Sequence, residues 1–188
     1  MMSEEAPQTQ LEDQIRECFG RVVYSHKTHE KMADRCAARM MQFKMAQIIV
    51  TALTSSGAVG VLVFDDFRLK MATAFLSFLS LFVAAYLKNF DPGGTAQQHR
   101  DTASKLWGIR ESYLSLITDL SVLNPEQARA KRDALQEQLE PIYASSPQTD
   151  ANAFAAAQDA LKNNEELTFS SSEIDCFLPS SHRRSGSA

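Results

Sequence analysis

Residues 45–64 read MAQIIVTALTSSGAVGVLVF and residues 71–87 read MATAFLSFLSLFVAAYL, and neither stretch contains a charged residue. At 1.5 Å of rise per helical residue the first spans about 30 Å, the hydrocarbon thickness of a bilayer. The second reaches about 26 Å, so it must thin the bilayer, use Lys70 and Lys88 as snorkelling ends, or pack within an oligomer. Neither reads as a cleavable signal, because the first lies behind a charged segment with no short basic lead-in. The competing reading is a buried hairpin in a soluble helical bundle, which would need both helices covered on every side.

Only Asp65-Asp66-Phe67-Arg68-Leu69-Lys70 separates the runs. That length allows a tight antiparallel connection and little else. Lys27, Lys31, Arg35, Arg39 and Lys44 precede the pair, Lys88, Arg100 and Lys105 follow it, and the loop holds Arg68 and Lys70. The positive-inside rule then places both termini in the cytoplasm. The remainder of the 188 residues is polar, and 19 Lys+Arg against 23 Asp+Glu give a net charge of −4. That balance argues against a DNA binder.

At helical spacing, Gln47, Thr51, Thr54, Ser55 and Ala58 share one side of the first span, and Thr73, Ser77, Ser80 and Ala84 one side of the second. Phe75, Leu79, Phe82 and Tyr86 form a lipid-suited stripe behind the latter. Small hydroxyl residues let membrane helices approach closely and hydrogen-bond. In an oligomer they also suit the lining of a water-filled passage, chiefly Gln47, Thr51 and Ser55 with Thr54, Thr73, Ser77 and Ser80 as further candidates. No ionisable residue lies inside either span, which removes the usual requirement of a proton relay or pump.

Upstream of the first span, Ile15, Phe19, Val22, His26, His29, Ala33, Cys36, Met40 and Phe43 keep 4,3 spacing; downstream of the second, His99, Thr102, Leu106, Ile109, Tyr113, Leu116, Leu120 and Leu123 do the same. Both patterns are coiled-coil-like seams. Asp91-Pro92-Gly93-Gly94 should interrupt or kink the second helix below the membrane. Matching the membrane ends of the hairpin pairs positions whose numbers add up to about 132, giving arms of roughly 50 Å with Ser25, His26 and His29 beside Trp107, Leu106 and Ala103 respectively, a register that can slip by a turn at the Pro-Gly-Gly break.

The expected fold is therefore all-α: a transmembrane helical hairpin with long antiparallel cytoplasmic arms and C-terminal helices, oligomeric in the membrane. Residues 1–10 read as a flexible N-terminus, 11–123 as the two-span domain, 124–168 as a cytoplasmic helical appendage and 169–188 as a flexible Ser-rich tail with one acidic-hydrophobic stretch at 173–179. Asn124-Pro125-Glu126-Gln127 is an N-cap, an N1 proline and an acidic first turn. A weaker helix should follow Thr149-Asp150, with Phe154, Ala157 and Leu161 as its apolar face.

His26, His29 and His99 invite a metal reading, but their spacing is not that of a known zinc motif. A neutral polar layer that fixes helix register is the favoured reading, and no metal is assigned. Lys31 and Arg35 belong to a basic repeat, Lys27 to Arg39, that suits a solvated face near anionic lipid. With Arg110 and Trp107 opposite, the same cations suit a phosphate-bearing ligand. No Gly-rich phosphate loop, nucleophile elbow or carboxylate pair marks an enzyme, and no cofactor is implied. Cys18, Cys36 and Cys176 should stay reduced.

Two segments carry a resemblance. Tyr24-Ser25-His26-Lys27-Thr28-His29-Glu30-Lys31-Met32-Ala33-Asp34 and Leu106-Trp107-Gly108-Ile109-Arg110-Glu111-Ser112-Tyr113-Leu114-Ser115-Leu116 resemble the SLATT family of two-transmembrane proteins, and the tail Glu166-Leu167-Thr168-Phe169 with Glu173-Ile174-Asp175 and Leu178-Pro179 is similar to the end of one SLATT subfamily. The resemblance implies an effector of the bacterial inner membrane. A cyclic-nucleotide synthetase or nucleotide-sensing partner would detect phage, and the effector would form a pore that ends the infected cell. It supplies no catalytic residues. The alternative expectation is a membrane-anchored coiled-coil scaffold that recruits a soluble partner.

Overall fold

The computed structural model describes residues 5–184, all of whose regular structure is helical. The flexibility expected of residues 1–4 and 185–188 lies outside the described residues. Helix α1 (Glu5–Val63) has 59 residues and so runs about 88 Å. No proline or capping residue interrupts it between arm and span, so both are one rod. A turn at 64–66 leads into α2 (Phe67–Phe90), where the Asp66 carboxylate accepts from the backbone N–H of Arg68 at 2.7 Å and of Leu69 at 3.2 Å. The orphan donors at that helix start are thereby satisfied, and Lys70 pairs with Asp65 beside them.

The break below the membrane is narrower than a Pro-Gly-Gly stretch suggests. Asp91 alone leaves the helical region, at φ 33° and ψ 67°. Its N–H donates to the Leu87 carbonyl, while its carboxylate accepts from Gly94 N–H and caps α3 (Pro92–Asp119). Pro92 sits in the first turn of α3, where its missing N–H costs no hydrogen bond. One antiparallel register survives the break: Thr51 meets Ser80, Phe43 meets Tyr86, His29 meets His99 and His26 meets Trp107, pairs whose numbers add up to 128–133.

Helix α4 (Pro125–Ser145), opened by a reciprocal Asn124–Gln127 capping box, returns toward the membrane parallel to α1. Arg132 donates to Gln14, Gln136 to Cys18 and Tyr143 to Ser25, each 118 residues away. The segment set apart as an appendage thus joins the main core, in which Ala128, Leu135 and Leu139 pack with Leu11, Ile15, Cys18 and Val22 of α1 and Leu106, Ile109, Tyr113 and Leu116 of α3. Helix α5 (Ala151–Lys162), capped by Asp150, runs along α1 and buries Ala153, Ala157 and Ala160. Of the apolar face expected for it, Ala157 is buried, while Phe154 stacks on Tyr24 with ring centroids 5.8 Å apart. Helix α6 (Ser171–Phe177) overlaps the acidic-hydrophobic stretch and leaves Ile174 and Phe177 exposed.

Two helices are long and apolar enough to cross a membrane, and none of the residues in their apolar windows is buried within the chain. A soluble bundle would cover such residues, so the buried-hairpin reading fails. Ile48, Leu53, Val59, Leu62, Phe75, Phe78 and Phe82 all face outward. The seam between the spans is built from small groups. A Cβ placed on Gly57 would lie 2.5 Å from Thr73 Oγ1, so the bare glycine is what lets α2 close up there.

Candidate functional site

Halfway along the arms the seam changes from apolar to polar while staying closed. His99 is fully buried, and His26, Lys27, Thr28, His29 and Thr102 are nearly so. The 4,3 spacing that buries Val22 and Ala33 also brings His26 and His29 inward, and His99 and Thr102 follow from the same rule on α3. Thr28 and Thr102 turn their hydroxyls back onto the carbonyls of Tyr24 and Gln98.

His29 Nδ1 and His99 Nδ1 are 2.9 Å apart. A bond between like nitrogens needs one ring as donor and a neutral one as acceptor; where both are neutral, they take opposite tautomers. Burial lowers the His29 pKa to about 4, helped by His99 and His26. Burial also lowers that of His99 against the pull of Asp150, and that of His26 against Glu30, with Arg110 and Lys27 adding to the fall. His26 Nδ1 and His99 Nε2 make no hydrogen bond. Over this layer, Trp107 packs its ring 5.4 Å from that of His26, and the Arg110 guanidinium lies 4.5 Å from the Trp107 centroid on its other contact. Arg110 also pairs with Glu111 at 3.1 Å.

The basic repeat has a different fate. Arg35 is held by Asp150 at 2.5 Å, Lys31 by Glu166 at 3.1 Å, and Lys27 by Glu166 at 2.5 Å and Glu30 at 2.8 Å. Burial works against the Lys27 ammonium, but hydrogen bonds to Glu166 and Glu30 outweigh it and raise its pKa. The Glu166 carboxyl is held below its ordinary value by Lys27 and Lys31, and Asp150 by the Ala153 N–H and Arg35. Lys31 and Arg35 therefore share one strip of α1 with Lys27, whereas Arg110 is engaged on Trp107 and Glu111. The sequence does not single out Asp150 and Glu166 as site residues; its signals there are the helix-cap position of Asp150 and the place of Glu166 in the tail stretch that carries the family resemblance.

In the membrane, Thr51 and Ser80 are joined hydroxyl to hydroxyl at 3.2 Å within the hairpin. Gln47, Thr54 and Thr73 lie half-buried toward the partner span, and Thr54 also bonds back to the Val50 carbonyl. Ser55 and Ser77 are exposed, the latter donating to the Thr73 carbonyl. Most of the polar stripe thus serves packing between the two spans of one chain, leaving Ser55 and Ser77 on its outer surface. Beside α5, an open groove of about 780 Å³ is lined by Tyr24, Tyr143 and Phe154 with Arg21 and Lys162 at its edges. Among the described residues, no group of three His, Cys, Asp or Glu side chains is arranged to hold a metal ion.

A family model described as the SMODS and SLOG-associating 2TM effector domain, family 4, matches residues 11–173. No curated protein and no solved structure matches the chain.

Proposed function

The chain belongs to the SMODS and SLOG-associating two-transmembrane effectors, and from that membership we propose that it oligomerises in the bacterial inner membrane, with both termini cytoplasmic, and opens a pore when a cytoplasmic nucleotide signal acts on its arms. The family defines a membrane effector of nucleotide-signalled defence. Pore formation is our reading of how the effect is exerted. The observation that carries it is the continuity of α1, which passes from His26 in the polar layer to the exposed span residues without a break. A rearrangement of the arms has no hinge in which to dissipate before it reaches the membrane. The uncovered outer faces of both spans, with Ser55 and Ser77 among them, supply the surface on which copies would assemble.

We read the chain as non-catalytic: its buried histidines are occupied with each other and with the seam rather than presented to a substrate. A membrane-potential dye in bacteria producing the inserted protein tests the reading. Depolarisation after triggering is expected; intact potential with correct insertion refutes it. The scaffold alternative draws on the outward Ile174 and Phe177 of α6, and it predicts partner recruitment with no depolarisation.

A further inference from the structure

We propose that α5 and the turn after it form a releasable acidic strap, whose carboxylates occupy a phosphate-binding strip made by Lys27, Lys31 and Arg35 of α1. The inference rests on the cytoplasmic trigger proposed above and names the surface on which it would act.

Three independent features meet at this strip. First, all three cations are taken by acids from far along the chain, Asp150 for Arg35 at a separation of 115 residues and Glu166 for both lysines, 135 residues from Lys31. Carboxylate and phosphate oxygens make the same charge-assisted hydrogen bonds with lysine and arginine, so one can replace the other. Second, the apolar grip of α5 is slight. The residues it buries are alanines, and its one aromatic contact, Phe154 on Tyr24, stays half exposed. Alanine methyls bury little area, and elements with few apolar contacts are the ones that open first. Third, the backbone around Glu166 is strained: Glu165 has φ 50° and Leu167 φ 74°. That region suits glycine, and a bulky leucine is kept there only by surrounding contacts. The Glu166 N–H donates to the Ala160 carbonyl at 2.9 Å, which aims the carboxylate back at α1. Letting go of the lysines relaxes this turn, so release is favoured from the strap's side as well.

A phosphate-bearing anion and the strap therefore compete for one surface. The phosphate can belong to a soluble ligand or to a lipid headgroup, and the test separates the two. Amide exchange is followed on the full-length chain in phosphatidylcholine nanodiscs. Asp150→Asn with Glu166→Gln removes all three ion pairs while keeping a good N-cap on α5. The expected result is exchange at least tenfold faster over 151–162, with 125–145 unchanged; unchanged exchange over 151–162 overturns the strap. If 125–145 also loosens, the single variant Glu166→Gln, which leaves the Asp150 cap in place, decides: faster exchange confined to 151–162 upholds the strap and its absence overturns it. For the ligand, inorganic tripolyphosphate is titrated on the wild type against sodium chloride of equal ionic strength, and phosphatidylglycerol nanodiscs are run without it. Release by tripolyphosphate alone identifies a soluble phosphate, release by phosphatidylglycerol alone a headgroup, and release by neither overturns the competition. Dye leakage from vesicles carrying the same proteins keeps the two readings apart. Strap release without leakage counts against the pore, whereas leakage with α5 still protected counts against the strap.

Discussion

His29 and His99, 70 residues apart in sequence, share a single hydrogen bond between their Nδ1 atoms inside the seam of the arms. That bond needs one neutral ring as acceptor and fails once both are protonated, and with the burial of both rings it makes the arms sensitive to acid. The unfolded rings titrate near 6.5, the folded His29 near 4, and His26 and His99 are lowered too. Between those values the unfolded chain binds more protons, so this contribution is complete above about pH 6.5 and is lost as pH falls toward 4. About 2 kcal/mol should be gone by pH 5 from His29 alone. Thermal unfolding of the detergent-solubilised chain at pH 7.5 and 5.0 checks this, and His29→Gln should flatten the dependence. A flat wild-type profile would dismiss it.

Gly57 and Thr73 make a second testable pair. Gly57→Ala should destabilise the hairpin by about 1–3 kcal/mol through overpacking. Thr73→Ala removes the hydroxyl that the new methyl would strike, and the next nearest atom, Thr73 Cβ, is at an ordinary 3.4 Å. The double variant should therefore recover much of the loss, a non-additive result readable as thermal stability in detergent.

Tyr113 is fully buried, and its hydroxyl ends against the Cys18 thiol with no ordinary hydrogen bond. Burial raises its pKa to about 12. Tyr113→Phe should change stability by less than about 1 kcal/mol, since no partner is orphaned. Tyr113→Ala should cost about 3–5 kcal/mol, because it empties the middle of the core. Chemical denaturation distinguishes them.

The two classes of span hydroxyl should separate in a leakage assay. Ser55→Leu alters the outer surface and should reduce triggered leakage with little change in melting temperature. Thr51→Val removes the bond to Ser80 and should lower the melting temperature by an amount consistent with about 0.5–1.5 kcal/mol. Equal leakage in wild type and Ser55→Leu would remove Ser55 from the passage.

Much of this was legible in the sequence because periodicity and hydropathy are local signals. The runs at 45–64 and 71–87 announce the hairpin, and the 4,3 spacing marks as inward Val22, His26, His29 and Ala33, all of which the structure buries. The expected register pairs His26 with Leu106, one residue from the Trp107 that the structure gives it, and His29 with Ala103 where the structure gives His99, a shift of about one turn. The third helix of the core was illegible as such, because the apolar face of α4 would suit several partners and nothing local encodes an offset of 118 residues. The strap was hidden for the same reason. Asp150 and Glu166 look like surface acids until the fold sets them on Arg35 and Lys31.

The unbroken α1 also has a mechanical meaning. Taking the membrane surface near Met45 as a fulcrum, about 60 Å of the rod lies on the side of the arms and about 30 Å within the bilayer. Such a lever trades distance for force: a swing of about 4 Å at the far end of the arm becomes about 2 Å at the outer end of the span. A weak, large-amplitude event among the side chains of the arms is thereby geared down into a short, forceful tilt where lipid resists it.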